Sequence, residues 1–160
     1  MTIKVGDKIP AASLKHKNAE GVQTISTDDL FKGKTVVLFA LPGAFTPTCS
    51  AKHLPGFIQH AGEFKAKGVD KIACLSVNDA FVMDAWGKDQ KVGDKVMMLA
   101  DGNAEFTKAV GLTMDATGYG MGTRSQRYAM VVKDGVVKKL NVEAPGAFEV
   151  SSAEAVLKAV

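Results

Sequence analysis

Thr35-Val36-Val37-Leu38-Phe39-Ala40-Leu41-Pro42-Gly43-Ala44-Phe45-Thr46-Pro47-Thr48-Cys49 is the stretch that sets the fold class. Its first part, Thr35 to Leu41, is apolar or β-branched without interruption. That pattern suits a strand covered on both faces, as in the centre of a sheet with helices above and below. Pro42 and Gly43 end the strand, Thr46-Pro47 punctuates the loop, and from Cys49 the spacing of apolar residues turns helical. A strand, a short loop and a helix that opens on a cysteine are therefore read from one segment.

Downstream, the helical pattern runs from Cys49 to about Lys67 and is expected to be interrupted or kinked at Pro55, which cannot donate a backbone hydrogen bond. Lys71 to Val77 reads as a second buried strand, followed by a helix capped near Asn78 or Asp79 and running through Trp86. Val96 to Ala100 is a third strand, and a short helix is expected around Ala104 to Val110. The glycine-rich segment from Gly111 to Gly122 is too irregular for an element and reads as a loop over a site. Tyr128 to Val132 and Val136 to Leu140 flank Asp134-Gly135, a strong hairpin signal, and a last helix spans about Ser152 to Lys158. Upstream, Val5 to Pro10 reads as a turn, Val22 to Ile25 alternates like a short strand in a polar stretch, and Ser26 to Leu30 carries helix-start chemistry. Strand alternates with helix, with no repeat and no linker, so residues 1–160 are expected to form one α/β domain: a central mixed sheet flanked by helices.

Composition removes several function classes. The 160 residues are 46% hydrophobic and 23% charged, which argues against disorder and fibrous repeats. The formal charge of +3 comes from interleaved acids and bases with no basic run, so nucleic acid is not an expected partner. No apolar stretch is long enough to span a bilayer and the first residues lack the apolar core of a secretory signal. No membrane association is expected, and the expected location is cytoplasmic. Two cysteines, Cys49 and Cys74, are too few for a disulfide scaffold.

Cys49 sits where a thiol is activated. The first turn of a helix offers unpaired N–H groups and the positive end of the dipole, and both favour thiolate over thiol. A buried structural cysteine is the competing reading. Thioredoxin-type exchange requires Cys-x-x-Cys, but Lys52 occupies the position of the second thiol. A structural zinc site needs four ligands, and Cys49 with His53 supplies two. His53 is accordingly read as a packing or hydrogen-bonding residue, and no metal is expected.

The run Pro42 to Ser50, continuing through His53-Leu54-Pro55-Gly56-Phe57, resembles the active-site stretch of type II (peroxiredoxin-5-like) peroxiredoxins. Ser76 to Met83, Trp86-Gly87 and Arg127 to Val132 are similar to further blocks of that family, in order, so the likeness extends from about Val5 to Val142. The resemblance implies a thioredoxin-like fold with peroxiredoxin-type insertions, and peroxidase activity through a sulfenic acid on Cys49. It also implies four catalytic positions: Pro42, Thr46, Cys49 and Arg127. Thr46 would orient the peroxide, Arg127 would hold the thiolate and the developing charge, and Pro42 would shield the site. Arg124 competes with Arg127, which is preferred because it adjoins the apolar strand.

Cys74 lies in a predicted buried strand and is expected to be a core thiol, although some relatives look similar there, which leaves it a candidate secondary thiol. Other relatives carry a resolving cysteine near the C-terminus, whereas Ala147 to Ser152 contains none. An external thiol is therefore expected to resolve the sulfenic acid: glutathione, with glutaredoxin or thioredoxin as alternative reductants, and no bound cofactor. The expected protein is a one-Cys, glutathione- or glutaredoxin-dependent peroxidase acting on hydrogen peroxide and alkyl hydroperoxides, and a homodimer. A non-enzymatic peroxide sensor or holdase using the same cysteine is the alternative. Phe45, Phe81, Leu112 and Met114 are read as core or as dimer contacts.

Overall fold

The computed structural model describes residues 2–160. A mixed seven-stranded sheet is built from β1 (Ser13–Asn18), β2 (Gly21–Ser26), β3 (Thr35–Ala40), β4 (Lys71–Ser76), β5 (Met97–Ala100), β8 (Tyr128–Lys133) and β9 (Val136–Val142), and β6 (Thr113–Asp115) with β7 (Thr123–Ser125) forms a separate ribbon. The order across the main sheet is β2-β1-β5-β4-β3-β8-β9. β3 pairs in parallel with β4 and antiparallel with β8, which makes it the interior strand that its sequence predicts.

Its two faces feed two cores. Val37 and Phe39 point with Cys74, Ala129 and Val131 into one core, which Leu54, Phe57, Phe64, Trp86 and Val156 complete. Those residues belong to or flank α2 (Leu54–Gln59), α3 (Ala61–Ala66), α4 (Ala80–Asp89) and α6 (Ala153–Leu157). Val36, Leu38 and Ala40 point the other way, toward Leu30, Phe31, Phe106 and Val110 of α1 (Thr27–Phe31) and α5 (Glu105–Val110). Each fully buried Leu, Val or Phe side chain contributes roughly 1.5–3 kcal/mol, so this double-faced strand is a major source of stability.

Local chemistry explains the boundaries. Ser26 caps α1 by accepting from Asp29 N at 3.1 Å, and Asp79 caps α4 by accepting from Val82 N at 2.8 Å. At the β8–β9 turn, Asp134 and Gly135 both take positive φ, 49° and 79°, the backbone a type I′ hairpin requires. The Asp134 carboxylate also accepts from Gly33 N at 2.7 Å, tying the hairpin to the turn that feeds β3.

Four expectations change. Ser13–Asn18, read only as a polar stretch, is a strand: it pairs along its whole length with β2 and touches β5 on its other side, and only Leu14 of its six side chains is buried. The glycine-rich segment 111–122 contains β6 and a 3₁₀ turn, Thr117–Tyr119, and with β7 it is a ribbon rather than an irregular loop. The helix starts at residue 47, not at Cys49, since Ser50 N bonds Thr46 O at 2.9 Å and Pro47 stands at the first helical position. Pro55 does not break it. The turn before Pro55, Cys49–His53, widens into a π-helix closed by Leu54 N donating to Cys49 O, and the break falls at His60 between α2 and α3.

Candidate active site

Cys49 and Arg127 meet because the strands that position them are neighbours. Ala40 at the end of β3 is paired with Tyr128 at the start of β8, so the loop after β3 and the residue before β8 leave the sheet at the same point. Arg127 Nη2 donates to Cys49 Sγ at 3.1 Å. The cysteine is wholly buried and belongs to the first core, together with Leu41, Leu54 and Phe57. A guanidinium cannot lose its proton at any physiological pH, so the sulfur faces a permanent cation in a nearly dry socket, where such contacts are strengthened.

The other nitrogen of the guanidinium fork is also fixed. Arg127 Nη1 donates to His53 Nδ1 at 2.8 Å, and His53 Nε2 lies 3.0 Å from Ser151 O. Arginine can only donate and a carbonyl can only accept, so the imidazole is neutral with its proton on Nε2. Burial, then the Arg127 charge, push its pKa down to about 3, against a smaller upward pull from the Ser151 carbonyl. Phe148 covers the pair: its ring centroid is 5.1 Å from the His53 ring and 5.9 Å from the guanidinium carbon.

The Ser151 carbonyl is held by Glu143. One carboxylate oxygen, Oε2, accepts from Glu149 N at 2.8 Å, Val150 N at 3.0 Å, Ser151 N at 2.8 Å and Ser151 Oγ at 2.6 Å. Burial alone would raise this carboxyl, but the hydrogen bonds from Ser151, Glu149 and Val150 outweigh it and hold the group below its ordinary range. Glu143 N in turn donates to Arg127 O at 3.0 Å.

The loop 42–48 has its own anchors. Thr46 Oγ1 donates to Gly43 O at 2.6 Å, which commits the hydroxyl proton and leaves the oxygen lone pairs to accept. Asn78 Oδ1 accepts from Ala44 N at 3.0 Å and from Ser76 Oγ at 2.6 Å. Arg124 donates through Nη1 to Pro42 O at 3.3 Å and through Nε to Met121 O at 3.0 Å, packing so close to Gly43 that a Cβ there would lie 2.9 Å from its Nη1. Arg124 thus braces the loop, while Arg127 reaches the sulfur.

Of the four predicted positions, Cys49 and Arg127 are in direct contact, the Thr46 carbonyl accepts the first bond of the helix that bears Cys49, and Pro42 is half-buried at the end of β3. Cys74 lies in the same core as Cys49 but within β4, opposite Phe39 of β3, and both thiols are free. Burial, with a smaller push from Cys49 and a partial offset from Arg127, drives the Cys74 thiol well above its ordinary range. Glu143, Ser151, Phe148 and Asn78 were not found from sequence. Glu143 works through backbone N–H groups, which any sequence supplies, so no residue pattern announces it. Leu112 is core, Met114 is half-buried, and Phe45 and Phe81 are 53% and 65% exposed. Among the described residues no cluster of His, Cys, Asp and Glu could hold a metal, and no helix is long and apolar enough to cross a membrane.

The redoxin family pattern matches residues 4–157. The chain is 53% identical to peroxiredoxin-2E, chloroplastic, of Arabidopsis thaliana, over 99% of this chain and 70% of that protein. It is 49% identical to peroxiredoxin-2B of the same plant, over 99% of this chain and 98% of that one. Its structure superposes with a TM-score of 0.96, at 57% identity over 99% of both chains, on reduced Prx3 of Vibrio vulnificus in complex with hydrogen peroxide. The thiol set against a guanidinium, on a thioredoxin-like sheet and with these relatives, leads to one conclusion: the chain belongs to the redoxin family and, within it, to the type II peroxiredoxins, which are thiol-dependent peroxidases.

Proposed function

We propose that Cys49 is the peroxidatic thiolate of a one-Cys peroxiredoxin whose sulfenic acid is resolved by glutathione, directly or through glutaredoxin. The observation that carries this reading is the 3.1 Å contact from Arg127 to Cys49 Sγ inside an apolar socket. In the first step the thiolate attacks one peroxide oxygen, the O–O bond breaks, and the sulfur becomes Cys–SOH as hydroxide or alkoxide leaves and takes a proton. Negative charge moves from sulfur to the departing oxygen, and Arg127 stands where it can follow that charge. Thr46, its own proton given to Gly43 O, accepts the peroxide O–H and so turns the substrate. Pro42, with no N–H to attract water, shields the pocket rim.

In the second step a thiol attacks the sulfenic sulfur, releasing water and leaving a mixed disulfide; a second thiol then regenerates Cys49 and departs as the oxidised disulfide. Thiols balance the cycle alone, so it calls on no metal, haem or flavin. An external reductant is supported by the sealed position of Cys74 and by the absence of a cysteine between Ala147 and Ser152. We assign the enzyme to the cytoplasm and read it as a homodimer, the dimer being supported by the exposed rings of Phe45 and Phe81.

The test follows peroxide consumption with glutathione, glutathione plus glutaredoxin, and thioredoxin supplied in turn. Turnover is expected with the first two. Efficient turnover with thioredoxin alone would displace the assignment of the reductant, and a single oxidation without turnover under any of them would favour a sensor.

A further inference from the structure

Arg127 is a long, flexible side chain, and its contact with the sulfur requires that its tip be held in place. We infer that Glu143, remote from the thiol, is the positioning residue that fixes Arg127, acting through the Ser151 carbonyl and His53. The inference rests on the reading of Cys49 as the peroxidatic thiolate.

Each link is a short hydrogen bond between groups with only one way to pair. Glu143 Oε2 gathers four donors from Glu149, Val150 and Ser151 and is itself only 7% exposed. Three successive N–H groups converging on one oxygen curl the backbone into an anion-binding concavity, with the anion supplied by the chain itself. That curl turns Ser151 O toward His53 Nε2, 3.0 Å away. The carbonyl selects the tautomer with the proton on Nε2, which leaves the Nδ1 lone pair toward Arg127 Nη1 at 2.8 Å. With Nη1 on His53, the planar fork carries Nη2 onto Cys49 Sγ. His53 lies in the same π-helical turn as Cys49, so the orienting ring and the thiol move together.

The alternative is that Glu143 only closes a surface turn. Two features argue against it. A bare closure needs one or two of these bonds, whereas Glu143 concentrates all four on one oxygen. Glu143 N also bonds Arg127 O at 3.0 Å, a rung that continues the β8–β9 ladder and sets residue 143 beside Arg127.

A double-mutant cycle tests the relay. The second-order rate of Cys49 oxidation by hydrogen peroxide is measured in single turnover for wild type, Glu143→Gln, His53→Gln and the double variant. Glu143→Gln should lose about 10- to 100-fold, the scale on which outer-shell groups act on the residues they orient. In the His53→Gln background the same change should cost less than about 3-fold, because the path is already cut. The ¹⁵N shifts of His53 give a second readout, with the clean Nε2–H signature of wild type becoming a tautomer mixture in Glu143→Gln. Additive losses, or an unchanged rate and tautomer in folded Glu143→Gln, would overturn the inference. Should Glu143→Gln fold poorly, Ser151→Ala, which removes one of the four donors, must show the tautomer shift to a smaller degree, and an unchanged spectrum there counts equally against it. If wild type itself fails to turn over peroxide, the reading of Cys49 is at fault instead.

Discussion

Cys49 and Cys74 are both fully buried, lie in the same apolar core, and belong to a strand-loop-helix unit and the strand beside it. They differ in what faces the sulfur. Cys49 stands in the first turn of a helix with a guanidinium at 3.1 Å, whereas Cys74 sits in mid-strand and its thiol is pushed upward by burial. Burial therefore does not separate a reactive thiol from an inert one; the charge placed against it does. Arg127 is in direct contact with Cys49, whereas at Cys74 it only partly offsets the upward push of burial.

The sharpest way to break this comparison is to remove each sulfur. Cys49→Ser should abolish peroxidase turnover with the fold intact by circular dichroism, since a hydroxyl is almost wholly protonated at neutral pH. Comparable turnover in the two proteins would end the assignment.

Next in size is Arg127. Arg127→Ala should lower the peroxide rate about 100- to 1000-fold, the usual range for removing one electrostatic donor from a transition state. Arg127→Lys should lose less, because it keeps the charge but not the fork that addresses His53 and Cys49 together. Alkylation of Cys49 by iodoacetamide at fixed neutral pH should slow in parallel. If the peroxide deficit vanished at high pH, Arg127 would act on ionisation alone. If Arg124→Ala were the more damaging change, the brace on Pro42 O would matter more than the contact with sulfur.

His53 makes a smaller, thermodynamic difference. Its pKa is about 3 in the folded chain against about 6.5 when unfolded, so below pH 6.5 the unfolded chain takes a proton that the folded one refuses. Its contribution to stability is complete above pH 6.5 and falls by about 1.4 kcal/mol per pH unit as the pH drops toward 3. His60 shifts upward, through its hydrogen bond to Glu63 and, against desolvation, that to Glu154, so it contributes with the opposite sign. The difference between wild-type and His53→Gln urea midpoints across pH 4 to 8 isolates the His53 slope. A difference that stays flat through that window would contradict the neutral, buried imidazole.

The smallest effect is expected at Cys74. Cys74→Ser should retain peroxidase activity with glutathione within about 2-fold while losing about 1–3 kcal/mol of stability for a buried hydroxyl with a poor partner. Native wild-type protein should take up one equivalent of iodoacetamide, not two. A high yield of Cys49–Cys74 disulfide after peroxide treatment without denaturant would erase the contrast between the two thiols.

What could be read in advance follows the same physics. β3 was legible because both its faces are core, and the β8–β9 hairpin because Asp134-Gly135 is one of few pairs that accept two positive φ angles. Cys49 and Arg127 were legible because each adjoins an element with a strong pattern. β1 was hidden because only Leu14 faces inward, and the β6–β7 ribbon because its strands are only three residues long and lie amid glycines. The widened turn was half-legible: Pro55 announced a disturbance, but a proline's clash is with the carbonyl four residues earlier, so the helix deforms ahead of it. Glu143 was invisible, since its partners are three backbone amides and a serine that become neighbours only after folding.

The two groups that make the site are 78 residues apart, and the second enters with β8, an inner strand between β3 and β9. A growing chain therefore exposes Cys49 long before it owns the cation that faces it. Until Arg127 has been synthesised and β8 has inserted beside β3, the nascent thiol lacks the guanidinium that faces it in the folded chain.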